Sequence, residues 1–170
     1  MRILLTGGAG FIGSHTAVEM TKSGHEVVIY DNFCNSDASV LERLEEILGK
    51  PVTFEEGDIR DYSRMHEVLK KHQIEAVVHF AGLKAVGESV KKPLEYDENN
   101  ITGTITLLRA MKDLGIKRII FSSSATVYGT PQYLPLDENH PLSVTNPYGR
   151  TKLQVEEILS DLCESDPEWS

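Results

Sequence analysis

The chain has 170 residues, of which 40% are hydrophobic and 25% charged, as expected for one globular domain with a sizeable core. Its formal net charge of -9 argues against a nucleic-acid or anionic-membrane surface. No apolar run reaches the length of a membrane span, and the first residues lead directly into a strand-like segment rather than a signal peptide. The two cysteines lie far apart in the sequence, so we expect reduced thiols in a cytoplasmic protein. Neither they nor the scattered histidines match a metal-ligand spacing, so we expect no metal site.

Short apolar runs alternate with longer amphipathic segments along the chain. Five runs predict buried strands: Ile3–Leu5, Val27–Tyr30, Val52–Phe54, Ala76–Phe80 and Arg118–Phe121. Helices are predicted at about 11–23, 38–48, 61–72, 93–114 and 147–163, with a long loop at 129–144. This order predicts an α/β fold with a doubly wound parallel sheet of the Rossmann type. Because another strand normally follows such a last helix, we expect the chain to be cut short and its fifth strand to form an exposed edge.

A glycine-rich segment follows the first predicted strand and opens the first helix. Its glycines Gly7, Gly10 and Gly13 permit a tight turn and let backbone N–H groups approach a pyrophosphate at the positive end of a helix. Asp31 ends the second strand, where a carboxylate accepts hydrogen bonds from an adenosine ribose and repels the extra phosphate of NADP. The pattern therefore predicts an NAD site. The alternative is a simple glycine turn beside a strand-end aspartate.

Two further strand ends carry candidate cofactor contacts. Asp58 and Ile59 follow the third strand, where an adenine edge is within reach, and Lys84 follows the fourth, where it can pair with a cofactor phosphate or ribose oxygen. Taken singly, Asp58 is equally compatible with a helix cap and Lys84 with a solvated surface charge. Both interpretations stay open at this point.

A tyrosine and a lysine one helical turn apart are the candidate catalytic pair. Asn146 is a good N-cap and Pro147 suits the first helical position, so Tyr148 and Lys152 are predicted on one face of a helix. Tyrosine ordinarily has a pKa of about 10, but a nearby cation and a helix N-terminus both favour the phenolate, which is a general base. Such pairs also occur by chance on helix surfaces.

Serine hydroxyls at the end of the fifth strand complete the candidate site. Ser122, Ser123 and Ser124 follow that strand, beside the expected nicotinamide end of a cofactor held at the first strand. A hydroxyl there can bind a substrate hydroxyl, although Ser and Thr at strand ends often only satisfy the backbone. The coincidence of Ser, Tyr and Lys beside a predicted NAD site favours the catalytic interpretation.

These motifs resemble the extended short-chain dehydrogenase/reductase family, and within it the enzymes that epimerise nucleotide sugars. The resemblance covers essentially all 170 residues, and its most specific stretch is His79–Ser89. It implies that residues 1–170 form an NAD-binding Rossmann-type domain, and that the later strands and the C-terminal UDP-sugar-binding domain lie outside this chain. It also implies a homodimer, with UDP-glucose and UDP-galactose as substrates.

The resemblance assigns roles to individual residues. It implies that Tyr148 is the catalytic base, Lys152 its charge partner and ribose ligand, and Ser124 the assisting hydroxyl. The sugar 4-hydroxyl would lose its proton to Tyr148 while C4 gives a hydride to NAD, and the resulting 4-keto sugar would rotate and receive the hydride on its other face. The implied NAD contacts are Phe11, Ile12, Asp31, Asn32, Phe33, Cys34, Asn35, Ser36, Asp58, Ile59, Phe80, Ala81, Gly82, Leu83, Lys84 and Asn99.

Three other functions are compatible with parts of this pattern. The nearest is a nucleotide-sugar 4,6-dehydratase, which the resemblance suggests needs an Asp-Glu pair just after the active-site hydroxyl, where Ala125 and Thr126 stand here. A second is an NAD-binding sensor without catalysis, for which Tyr148 and Lys152 would be unnecessary. A third is a fragment that binds NAD weakly or not at all.

Overall fold

The computed structural model describes all residues 1–170 and contains five strands that form one parallel sheet. The strands are β1 Arg2–Thr6, β2 Glu26–Asp31, β3 Thr53–Glu56, β4 Ala76–His79 and β5 Ile119–Phe121. Their order across the sheet is β3-β2-β1-β4-β5, with every neighbouring pair parallel. This confirms the predicted doubly wound α/β fold.

Seven α-helices connect and cover the strands. They are α1 Phe11–Lys22, α2 Ser39–Leu48, α3 Tyr62–Lys71, α4 Val86–Lys91, α5 Pro93–Tyr96, α6 Gly103–Asp113 and α7 Pro147–Ser165. None of them combines the length and the apolar composition that a membrane span requires. The predicted loop over 129–144 contains neither helix nor strand, whereas α4 and a 3₁₀ turn over Ala125–Tyr128 were not predicted.

Two hydrophobic cores lie on the two faces of the sheet because successive strand residues point to opposite sides. In β1, Leu4 joins a core with the helices α3 and α6, while Ile3 and Leu5 join the core beneath α1 and α2. Leu4 and Leu5 are both fully buried. Burying such a side chain contributes about 1.5–3 kcal/mol, so the near-continuous apolar runs of the strands anchor the fold.

The predicted helix over 93–114 is broken in the structure. It consists of α5, a π-helical segment over Asp97–Thr102, and α6. A π-helical turn contains one residue more than an α-helical turn, and such insertions concentrate at functional sites. Here the turn buries two consecutive polar side chains, Asn99 and Asn100.

The fifth strand is an edge of the sheet, as predicted, but one end of it is paired. The N–H of Ile119 donates to the carbonyl of Ser170 at 2.8 Å, and the N–H of Ser170 donates to the carbonyl of Lys117 at 2.9 Å. Trp169 is buried in the core beside α3 and α6. The rest of the edge is open, and Ile120 is 63% exposed.

Candidate active site

A cleft follows the carboxyl ends of the strands and opens where β1 lies beside β4. The winding of the sheet reverses there, and such reversal points are the usual ligand sites of doubly wound sheets. The cleft wall includes these predicted site residues: Gly7, Gly10, Phe11, Ile12, Gly13, Asp31, Asn32, Cys34, Asn35, Ser36, Ile59, Phe80, Ala81, Gly82, Leu83, Lys84, Asn99, Tyr148 and Lys152. The predicted residues Phe33, Asp58 and Ser124 do not line it.

The glycine loop forms the floor of one end of the cleft. Gly7 has a φ of +68°, and a Cβ there would lie 2.7 Å from the backbone nitrogen of Ala81. A Cβ on Gly13 would lie 2.4 Å from the carbonyl oxygen of Gly7, so a side chain at either position would disrupt the loop. Gly10 caps α1 without a side-chain hydrogen bond. The backbone N–H groups of the first helical turn therefore stay available to an anion.

Asp31 is held rigidly at the end of β2. One carboxylate oxygen accepts from the N–H of Ala9 at 3.0 Å, and the other accepts from the N–H of Phe33 and the hydroxyl of Ser36, both at 2.9 Å. A carboxylate has about four acceptor positions, so one stays open to a ligand hydroxyl. The side chain is buried but still lines the cleft.

Asp58 and Phe33 are not among the residues that line the cleft, and each has partners of its own. The carboxylate of Asp58 accepts from the backbone and guanidinium of Arg60 and from the side-chain amide of Asn32. These bonds hold the pKa of Asp58 at about 2 and consume its acceptor positions. Phe33 has a φ of 55°, and its ring packs against Phe54, 5.0 Å between centroids. The ring thus packs against the core beneath α1 and α2.

Ser124 is turned toward the 3₁₀ segment that follows it. Its hydroxyl oxygen accepts from the N–H of Thr126 at 3.2 Å and from the hydroxyl of the same residue at 2.9 Å. This is the local backbone-satisfying role that serine often takes at the end of a strand. The hydroxyl proton of Ser124 remains free for donation.

The loop after β4 is fixed by the π-helical segment. The side chain of Asn100 accepts from the N–H of Leu83 at 2.8 Å and donates to the carbonyl of Leu83 and the hydroxyl of Thr151, both at 3.0 Å. The amide of Asn99, which lines the cleft, donates to Asn100 at 2.9 Å. The two buried asparagines thus tie the loop at Phe80–Lys84 to helix α7.

Tyr148 lies in the first turn of α7, which begins as the sequence predicts. The side chain of Asn146 accepts from the N–H of Gly149 at 2.8 Å, and Pro147 occupies the first helical position. The N–H of Tyr148 donates to the hydroxyl of Ser89 at 3.2 Å. Helix α4, which carries Ser89, therefore supports the backbone of Tyr148.

Lys152 is buried in the same wall of the cleft, one turn further along α7. Its ammonium donates to the carbonyl of Ser122 at 2.8 Å and lies 4.6 Å from the ring centroid of Phe121. Burial lowers the pKa of Lys152 to about 8, and the nearby charge of Glu156 partly offsets this effect. At neutral pH the side chain is therefore still mostly a cation.

Ser122 and Ser123, which the sequence places beside Ser124 at the end of the fifth strand, also line the cleft. Two residues of the wall were not predicted, Tyr30 and Gly57. Both lie at strand ends, so the signal that marked Asp31 could have found them as well. Gly57 has to be small because a Cβ there would lie 2.2 Å from the hydroxyl of Tyr30.

Comparison with known proteins agrees with this geometry. Residues 4–169 match the family described as GDP-mannose 4,6 dehydratase. The chain belongs to this family. It is 57% identical over 170 residues to a UDP-glucose 4-epimerase of Bacillus subtilis and 53% identical over 176 residues to that of Homo sapiens. These matches cover 100% and 99% of this chain but 50% and 51% of the relatives, so the chain spans about half their length.

Solved structures of family members superpose closely on the chain. The UDP-glucose 4-epimerase of Bifidobacterium longum in complex with NAD+ and UDP gives a TM-score of 0.98 at 52% identity, covering 100% of this chain and 51% of that one. The UDP-glucose 4-epimerase from Stenotrophomonas maltophila with bound NAD and formylated UDP-arabinopyranose gives a TM-score of 0.95 at 53% identity, and the match covers 97% of this chain and 49% of that one. The resemblance inferred from the sequence motifs is thereby confirmed at the level of the family.

Proposed function

We propose that this chain carries the NAD site and the catalytic groups of an enzyme that interconverts UDP-glucose and UDP-galactose. The observation that carries the proposal is the position of Tyr148 and Lys152, which share one cleft with the glycine loop and Asp31. The names of the closely similar relatives support the same substrates.

The residues of the cleft fit NAD. The uncapped N-terminus of α1 and the glycine loop suit a pyrophosphate, because N–H groups and the helix dipole both favour an anion. The open acceptor position of Asp31 suits a ribose hydroxyl, and its negative charge disfavours the additional phosphate of NADP. Lys84 and Lys152 line the cleft and can donate to ribose or phosphate oxygens.

In the proposed reaction the chain's own residues move one proton and hold the sugar. When bound, NAD supplies reversible hydride acceptance at C4 of the sugar. The phenolate of Tyr148 takes the proton of the 4-hydroxyl and later returns it to the same oxygen. Lys152 favours that phenolate through its positive charge, and the free hydroxyl proton of Ser124 can orient the sugar oxygen.

Dehydration is the less favoured reaction, although the family description names a dehydratase. Removing water across C5 and C6 requires an additional acid and base. The segment after Ser124 is Ala125–Tyr128 and contains no carboxylate. This difference favours epimerisation over dehydration.

Two further properties accompany the proposal. The resemblance suggests a homodimer, which light scattering of the purified protein would detect. Cys34 and Cys163 are free and exposed, which is compatible with the reducing environment of the cytoplasm.

The proposal is tested with the product of the complete gene. Incubation with UDP-galactose and NAD is expected to yield UDP-glucose, and a dehydrated 4-keto-6-deoxy sugar would instead indicate the dehydratase. Calorimetric titration of the 170-residue chain with NAD and NADP separately tests the cofactor site, with tighter binding of NAD expected. Absence of UDP-glucose at saturating NAD would contradict the proposed reaction.

A further inference from the structure

Helix α7 contacts the end of β5 at two successive turns. Lys152 donates to the carbonyl of Ser122, and one turn later the carboxylate of Glu156 accepts from the hydroxyl of Ser123. Residues four apart lie on the same helix face. The Ser123 contact therefore holds the carboxylate of Glu156 on the face that carries the buried ammonium.

Few charged groups lie near Lys152 to offset the loss of hydration of its buried ammonium. Lys152 is only 6% exposed, and its ammonium contacts the neutral carbonyl of Ser122 and the ring of Phe121. From β4 it is faced by His79, whose pKa is lowered to about 3 by burial, so that ring is neutral at pH 7. From α7 the charge that acts on it is that of Glu156, and Tyr148, one turn before it, lines the same cleft. Glu156 is the anion that opposes the loss of the Lys152 charge.

We propose that Glu156 is a positioning residue of the site, whose carboxylate, oriented by Ser123, favours the ammonium form of Lys152. It does not line the cleft and so does not touch a ligand there. It acts through Lys152, whose charge favours the Tyr148 phenolate. The catalytic consequence rests on the proposed function, whereas the charge state of Lys152 does not.

The direct test is the titration of Lys152 in the 170-residue chain, followed by NMR of isotopically labelled lysine side chains. The Lys152 signal is identified by its loss in Lys152→Met. Glu156→Gln keeps an acceptor for Ser123 but removes the charge, so we expect the pKa of Lys152 to fall by about half a unit or more. Glu157→Gln is the matched control, because this variant loses the same formal charge at the neighbouring, exposed Glu157.

Equal titration of Lys152 in the unsubstituted chain and in Glu156→Gln would overturn the proposal, as would equal shifts in Glu156→Gln and Glu157→Gln. If Glu156→Gln does not fold, Glu156→Asp replaces it. Withdrawing the carboxylate by one methylene is expected to lower the pKa of Lys152 by less, and no change would again overturn the proposal.

A second readout uses turnover of UDP-galactose by the complete gene product. Because the Lys152 cation favours the Tyr148 phenolate, a Lys152 that loses its proton more readily is expected to move the acidic limb of the pH–activity profile to higher pH in Glu156→Gln, as in Lys152→Met, whereas Glu157→Gln leaves it in place. An unmoved limb contradicts the role of Glu156. If the unsubstituted protein shows no turnover, the proposed function fails, and the NMR titration still decides the role of Glu156.

Discussion

Replacing Lys152 by methionine is expected to stabilise the fold at neutral pH. The fall of its pKa from 10.5 to about 8 means that the folded protein disfavours the charged form. That difference corresponds to roughly 3 kcal/mol. Methionine fills a similar volume without a charge but loses the charge-assisted hydrogen bond to Ser122 and the cation–π contact with Phe121, together worth about 2 kcal/mol. A net gain of about 1 kcal/mol at pH 7 follows.

The difference in stability between the unsubstituted protein and Lys152→Met depends on pH. Because the pKa of Lys152 is lower in the folded than in the unfolded chain, the unfolded chain binds more protons between about pH 8 and pH 10.5. The unsubstituted protein therefore gains stability, relative to Lys152→Met, as the pH rises through that window. The advantage of the variant is full below pH 8 and is lost before pH 10.5.

The assay is urea unfolding at pH 7 and pH 10, followed by fluorescence of the single tryptophan, Trp169, which is buried in the core. Lys84→Met removes an exposed cation from the same cleft and is the control, with an expected change within about 0.5 kcal/mol. A Lys152→Met variant less stable than the unsubstituted protein at pH 7, or an advantage that does not change with pH, would refute the reasoning.

Other substitutions test the site itself. Gly7→Ala is expected to lower the free energy of unfolding by more than about 1 kcal/mol and to weaken NAD binding, because its Cβ would meet the backbone of Ala81. Gly24→Ala is the control for backbone strain alone, because Gly24 has a φ of +86° and open space around it. This control should bind NAD normally in calorimetry. Tyr148→Phe is expected to bind NAD nearly unchanged but to slow UDP-galactose turnover by about 10²–10⁴-fold, and unchanged turnover would remove Tyr148 from the mechanism. In Lys152→Met the remaining activity is expected to require higher pH, because the phenolate loses its cation, and an unmoved pH profile would contradict that role.

Most of the fold follows from periodicity and punctuation in the sequence. The five apolar runs form the strands, and Asn146 with Pro147 marks the start of α7 correctly. The helix predicted over 93–114 is divided because the amphipathic pattern cannot reveal a π-helical turn. That turn is stabilised by tertiary contacts of Asn100 with Leu83 and Thr151, and sequence periodicity carries no information about such partners.

The site is predictable where strand ends decide it and less so where local hydrogen bonds do. Gly7, Asp31 and Tyr148 line one cleft because parallel strands present their carboxyl ends at one edge of the sheet. The carboxylate of Asp58 accepts hydrogen bonds from the guanidinium of Arg60, two residues later. Ser124 is turned by Thr126 in a similar way. Such short-range competition depends on side-chain geometry that residue types alone do not specify.

The fate of the hydrogen on C4 of the sugar tests the central claim most directly. The product of the complete gene is incubated with UDP-galactose that carries deuterium at C4, and the UDP-glucose formed is analysed by mass spectrometry. If Tyr148 moves only the hydroxyl proton while NAD carries the hydride, the deuterium is retained at C4 of the product. Replacement of that deuterium by hydrogen from solvent would contradict the account.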